Sequence, residues 1–137
     1  MAVYPFLSFN GNCREAMSFY QSCFGGELKL KSLGDSPDAG LMPEDMKELI
    51  LHASLVSQHV QLFASDLGAE EGLYAGNRIS LLFNTSHNLE LLSAFKKLSE
   101  DAEITNPVSG DTLNGEWATL TDRYRVQWIF SAEMHRP

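Results

Sequence analysis

A chain of 137 residues, 44% of them apolar, is long enough for one domain with a sizeable core and too short for two independent ones. Acidic side chains outnumber basic ones 18 to 10. The resulting charge of -8 repels a phosphate backbone, which argues against nucleic acid as a partner. Nothing approaches the roughly 20 apolar residues of a membrane span, and Met1 to Asn10 lacks the basic start of an export signal, so no membrane partner and a cytoplasmic location are expected. Cys13 and Cys23 are the two cysteines. Neither stands in a Cys-x-x-Cys or His-rich context, and both are expected to pack as small apolar side chains.

From the N-terminus, Val3 to Phe9 is β-branched and aromatic and reads as a strand, with Pro5 tolerated at its start or edge. Asn12 with Glu15 three positions on resembles a capping pair. Ala16, Phe19, Tyr20, Cys23 and Phe24 then recur at helical spacing before Gly25 and Gly26 end the helix. Glu27 to Leu33 has the alternation of a half-exposed strand. Pro43, Glu44 and Asp45 suit the first turn of a short helix, and Leu49 to Val56 with Val60 to Ser65 reads as a hairpin.

Asp66 to Gly76, acidic and glycine-rich without periodicity, reads as a connection. A second cycle follows. Arg78 to Asn84 is a strand, and Leu91, Leu92, Phe95 and Leu98 mark a helix capped by Ser86 or Asn88. Extended pieces lie near Ile104, at Glu116 to Thr121 and at Val126 to Ala132. The order strand, helix, strand, strand, strand therefore occurs twice, and two units too small to bury their own apolar faces must combine to close a core. Strand parity sends Leu51, Ala53 and Leu55 toward a helix and His52, Ser54 and Val56 to the opposite face, where a ligand would sit.

Several segments together resemble the vicinal-oxygen-chelate (glyoxalase/bleomycin-resistance) superfamily, and within it the PhnB-like proteins. They are Phe6-Leu7-Ser8-Phe9-Asn10-Gly11-Asn12-Cys13, Ala16-Met17-Ser18-Phe19-Tyr20, Phe24-Gly25-Gly26-Glu27-Leu28, Met42-Pro43, His52-Ala53-Ser54-Leu55, Thr121-Asp122-Arg123-Tyr124 and Val126-Gln127-Trp128. Each is weak alone; their joint order is specific. The resemblance implies an α+β fold of two βαβββ modules, whose curved, mostly antiparallel half-sheets surround a cleft. It implies one glyoxalase-like domain over 1–137, with module one at about 1–66, a linker at about 67–76 and module two at about 77–133. It also implies a homodimer.

The superfamily's metal-ligand positions fall on Pro5, Gln61, Asn77 or Arg78, and Ile129. Proline and isoleucine have no donor atom there, so no metal and no other cofactor is expected, with a divalent metal as the minor alternative. Arg125 stands where the family's turn carries glycine, and arginine resists positive φ.

His52 is the candidate acid or base, because its ordinary pKa lies near neutrality. Candidate ligand-binding residues are Phe9, His52, Ser54, Gln61, Phe63, Ser80, Trp117 and Trp128, with His52, Ser54, Gln61 and Phe63 sharing a parity on adjacent strands. Phe9 and Tyr124 are weaker aromatic candidates, and Asp122-Arg123 is read as a surface turn. His59, His87 and His135 are read as solvated or local. Gly25-Gly26 lacks the further glycine and lysine of a phosphate loop, and no strand ends in a glycine-rich turn suited to a methyl donor. The expected function is binding of a small molecule without the superfamily's full metal site. The alternatives are a divalent-metal or His-dependent isomerase, lyase or dioxygenase, and a dimeric interaction module with a vestigial pocket.

Overall fold

The computed structural model describes residues 1–37, 39–58, 60–67, 72–85, 88–106 and 117–131. The side chains of Asn88 and Trp117 are outside that description, as are the expectations attached to His59, Ser86, His87, Glu116, Ala132 and His135. Two compact units make up the chain, Met1–Tyr74 and Ala75–Pro137. The first contains β1 (Phe6–Ser8), α1 (Cys13–Phe24), β2 (Glu27–Ser32), α2 (Glu44–Lys47), β3 (Ile50–Val56) and β4 (Gln61–Ser65). The second contains β5 (Leu81–Asn84), α3 (Asn88–Leu98), β6 (Glu103–Asn106), β7 (Trp117–Thr121) and β8 (Gln127–Ser131).

Each unit has one four-stranded sheet, ordered β1-β4-β3-β2 in the first and β5-β8-β7-β6 in the second. In each, the first strand pairs parallel with the last and the other two pairings are antiparallel. This is an α+β fold of two βαβββ modules. The duplication extends to register: Gln61 faces Val56, which faces Glu27, and in the second sheet Gln127 faces Thr121, which faces Glu103.

The first strand is shorter than the Val3 to Phe9 reading. Pro5 has no N–H for the ladder, and only its carbonyl joins, accepting the Phe63 N–H at 3.2 Å. The fifth strand of the reading likewise begins late, at Leu81 rather than Arg78. Helical spacing puts Cys13, Ala16, Met17, Tyr20 and Cys23 on one buried face of α1, against the buried Ala53, Leu55, Leu62 and Ala64 of β3 and β4. In the second unit Leu91, Ala94, Phe95 and Leu98 of α3 do the same over Phe83, Ala118, Leu120, Trp128 and Phe130. Phe130 is the centre of that core, edge-on to Phe95 at 5.2 Å and tilted to Phe83 at 5.6 Å.

The expected Asn12 cap is not what closes α1: its side chain makes no capping hydrogen bond. Asp66 does the work instead. Its Oδ1 accepts the N–H groups of Gly11 at 2.8 Å and Cys13 at 3.0 Å, and its Oδ2 accepts the N–H of Ile50 at 2.8 Å. Asp66 is thus a buried tie between β4, the β1–α1 turn and the start of β3, although composition alone assigned it to the connection. A carboxylate suits this place because orphan N–H groups and the helix dipole both favour negative charge.

The other end of α1 needs its glycines. Gly25 has φ 72° and donates its N–H to Gln21 O, while a Cβ on Gly26, at φ 102°, would lie 2.5 Å from Val56 O. At the β7–β8 turn, Arg125 does adopt positive φ, 72°, contrary to the resistance expected of arginine. The Asp122 carboxylate over-determines the turn: Oδ1 accepts the N–H groups of Tyr124 at 2.8 Å and Val126 at 3.1 Å, while Arg125 N–H donates to Asp122 O.

Two outcomes follow from these ties. Asp66→Ala leaves three backbone N–H groups without their acceptor and should cost about 3–5 kcal/mol in urea unfolding, with Asp66→Asn losing less because one oxygen remains. Burial, then the Asp66 charge, push the Cys13 thiol up from 9.0 to about 12, against an opposing pull from Arg14. The unfolded thiol then ionises first, so stability is whole below pH 9.0 and is lost as pH rises toward about 12. Comparing wild type with Cys13→Ala across that window should reveal a slope of up to about 1.4 kcal/mol per pH unit, present only in wild type.

Candidate functional site

With α1 covering one face of the first sheet, the opposite face is left open. Parity places His52, Ser54 and Val56 of β3 there, with Gln61 and Phe63 of β4, Phe6 of β1, and Glu27, Lys29 and Lys31 of β2. The pairing arranges them in rows across the strands. One row runs Phe6, Phe63, Ser54, Lys29; the next contains His52 and Lys31; a third runs Gln61, Val56, Glu27.

The aromatic end of this face is well defined. Tyr4 lies with its ring 5.3 Å from that of Phe63, and the His52 ring lies 6.0 Å from Phe63 on the other side. Tyr4 and Phe6 remain 48% and 56% exposed, although both carry large apolar rings. His52 and Gln61 are exposed, and Phe63 and Ser54 are half-buried. Lys29 reaches Glu27 at 3.9 Å with both side chains largely in water, a contact of little energetic weight.

His52, Ser54, Gln61 and Phe63 therefore share a face as their parity requires, but they do not converge on a point. Ser54 lies opposite Phe63 while Gln61 lies opposite Val56, so His52 and Gln61 rise from positions four residues apart in register, roughly 13 Å, with the Phe63 ring between them. Those two donors do not fit a single ion. Pro5 and Ile129 offer no donor, and Ile129 faces the hydrocarbon of Leu82. No group of three or more His, Cys, Asp or Glu side chains suited to a metal occurs among the described residues. Of the positions that the resemblance implies for a metal, Pro5 and Ile129 therefore carry no donor side chain.

The remaining candidates separate from this group. Phe9, at 3% exposure, is part of the first unit's core, its N–H bonded to Ser65 O. Trp128, also at 3%, donates its indole N–H to Asp122 Oδ2 at 2.9 Å and packs in the second unit's core. Asp122 itself is buried rather than a surface residue, while Arg123 ties the turn to Glu100 O and the Glu100 carboxylate. Ser80 belongs to the second unit, where its hydroxyl donates to Gln127 Oε1 at 3.2 Å and Gln127 Nε2 donates to Gly76 O at 3.4 Å. Trp117 begins β7 opposite Ser131, the register position that His52 occupies in β3.

Sequence reasoning missed Tyr4, Phe6, Lys29 and Lys31. The alternation of β2 signals that both lysines share one face, but only the register shows it to be the face of His52. A depression of about 500 Å³ lies elsewhere, lined by Gly11, Asn12, Arg14, Glu15 and Glu48. The backbone N–H groups of Gly11 and Cys13 beside it are already taken by Asp66.

Comparison with known proteins gives consistent relatives. The family described as 3-demethylubiquinone-9 3-methyltransferase matches residues 1–130. Protein YjdN of Escherichia coli is 24% identical over 147 aligned residues, covering 100% of this chain and 99% of YjdN. The crystal structure of PA1353 from Pseudomonas aeruginosa has TM-score 0.78 and 33% identity, covering 95% of this chain and 96% of that one. A PhnB protein from Bacillus cereus, described as a putative 3-demethylubiquinone-9 3-methyltransferase, has TM-score 0.66 and 22% identity over 95% of this chain and 98% of that one. The fosfomycin resistance protein FosX of Listeria monocytogenes, 9% identical with TM-score 0.65 over 98% and 94%, shares the fold.

The placement predicts different stabilities for residues of the open face and of the core. His52→Ala and Gln61→Ala should each change unfolding free energy by under about 0.5 kcal/mol. Trp128→Phe should cost about 1–3 kcal/mol in the same denaturant titration, because it leaves the buried Asp122 oxygen without its indole donor.

Proposed function

The chain belongs to the PhnB-like 3-demethylubiquinone-9 3-methyltransferase family of the glyoxalase/bleomycin-resistance superfamily, and from that premise we propose that it is a metal-free small-molecule-binding protein. Its ligand lies on the open face of the first sheet, between His52, Ser54, Phe63 and Gln61, with Tyr4 and Phe6 extending the apolar wall. The observation that carries this reading is the Tyr4–Phe63–His52 aromatic group: rings at 5.3 and 6.0 Å, Phe63 and His52 on adjacent paired strands and Tyr4 just ahead of β1, with Tyr4 and His52 exposed and Phe63 half-buried. Exposed apolar rings mark surface that gains from being covered, and the strand ladder that fixes the backbones of Phe6, Phe63 and His52 lowers the ordering cost of binding there.

The family's descriptive name supplies no argument for methyl transfer in this chain. At α1, where a strand leads through a turn to a helix, the buried Asp66 carboxylate already holds the turn's N–H groups and would repel a second anion there. Turnover with His52 as general base is a second reading, favoured by the exposure of His52 beside an open binding surface. The proposal extends to a homodimer in the cytoplasm. Exposed Tyr74, Ile79, Leu82 and Leu89 are apolar material that a subunit contact would cover, and no helix among the described residues is long and apolar enough to cross a membrane.

Protein purified without chelators should contain well under one divalent ion per chain by elemental analysis; about one per chain overturns the metal-free reading. In a fragment screen followed by amide NMR, hits should perturb Phe63, His52 and Ser54, and His52→Ala should change their affinity while the fold is kept. Hits that consistently map away from this face overturn the site.

A further inference from the structure

The open face of the first sheet is chemically asymmetric from one edge to the other. At the β1 edge and on β4 stand Tyr4, Phe6 and Phe63; at the β2 edge stand Lys29 and Lys31; between them, on β3, stand Ser54 and His52. Among the described residues Lys31 makes no ion pair, and Lys29 makes only the exposed 3.9 Å contact with Glu27. Lys29 and Lys31 thus place two positive charges on one sheet face of a chain whose net charge is -8. The second sheet repeats the topology and register without this chemistry: where the first has Phe6, Phe63, Ser54 and Lys29 in a row, the second has Leu82, Ile129, Thr119 and Asn106.

We infer that the first sheet binds a planar aromatic anion laid across its strands, with the ring against Phe63, Phe6 and Tyr4 and the anionic group at Lys31 and Lys29. This rests on the small-molecule reading above and adds the chemical class of the ligand. From β4 to β2 is two strand spacings, roughly 10 Å, so an arene bearing a carboxylate or similar group bridges the aromatic and cationic ends once the lysine stems fold inward. Ser54 and His52 lie beneath the join, each able to donate a hydrogen bond to an oxyanion. A neutral arene would leave the lysines unused, and an aliphatic anion would leave the rings wet.

The test uses the full chain and three probes: 1-naphthoate, 1-naphthamide and cyclohexanecarboxylate. Calorimetry at low salt should find naphthoate bound about tenfold more tightly than either of the others, with its advantage over the amide shrinking as salt is raised to about 0.5 M. Lys29→Gln combined with Lys31→Gln should remove that advantage and leave naphthamide within about twofold, while Phe6→Ser weakens naphthoate and naphthamide alike. All these positions are exposed, so folding is kept and is checked by amide NMR. Equal binding of naphthoate and naphthamide, unaffected by the lysine changes but mapping to Phe63, overturns the anionic ligand and leaves the binding site standing. Probes that never perturb Phe63, His52 or Lys31 overturn both. Perturbation of this face that follows protein concentration rather than probe means a second copy covers it, and also overturns the inference.

Discussion

The carboxylate of Asp66, buried against three backbone N–H groups, is the constraint on which the first unit depends. Its acceptors reach the turn before α1, the first residue of α1 and the first residue of β3, while its own N–H closes back on Ile50 O. Three segments distant in sequence are thereby fixed to the end of β4. With α1 pinned at that end and held at the other by Gly25 and the tight Gly26–Val56 approach, only one sheet face can be covered. The other is left to water, and to whatever binds there. A buried charge is costly unless hydrogen bonds replace its hydration, and three charge-assisted bonds of 2.8 to 3.0 Å meet that condition.

The second unit solves the same problem with another acid at another place. Asp122 sits in the β7–β8 turn, and its carboxylate gathers Tyr124 N–H, Val126 N–H and the Trp128 indole N–H. That network holds Arg125 in a conformation glycine would adopt without strain, so the departure from the family's turn pattern is absorbed locally. Duplication has thus conserved strand order and register while the side chains that enforce them diverged. The matching glutamines have diverged as well. Gln127 latches Ser80 and Gly76, whereas Gln61 makes no side-chain hydrogen bond among the described residues.

Local pattern carried most of this fold. The spacing of Ala16, Tyr20 and Cys23, the glycine pair after them and the alternation around Ala53 and Leu55 each report a neighbour within a few residues, and the elements they imply are present. What they do not carry is partnership across distance. Asn12 and Glu15 suggested a local cap, but the acceptor comes from 53 residues away. Parity put His52, Gln61 and Phe63 on one face correctly; only the register separates His52 from Gln61 and puts Phe63 between them. Phe9 and Trp128 illustrate the same limit, since an aromatic at the end of a strand serves a core or a pocket with one and the same sequence signature.

Edge protection gives an alternative origin for Lys29 and Lys31, because β2 is an outer strand and charged side chains discourage pairing with another sheet. That account predicts the same device at the opposite edge, which has the same unpaired backbone. Instead β1 presents Phe6 with Tyr4 beside it, rings that invite contact rather than deter it. The second sheet's equivalent outer strand, β6, carries one charge, Glu103, beside Ile104, Thr105 and Asn106, and no lysine. Edge protection asks only for charge, which one Glu103 supplies on β6, and it does not ask for two cations on one face. Among the described strands, a pair of lysines stands on β2, across the same face from aromatic rings, and a ligand with one apolar and one negative end is the physical reason that joins the two.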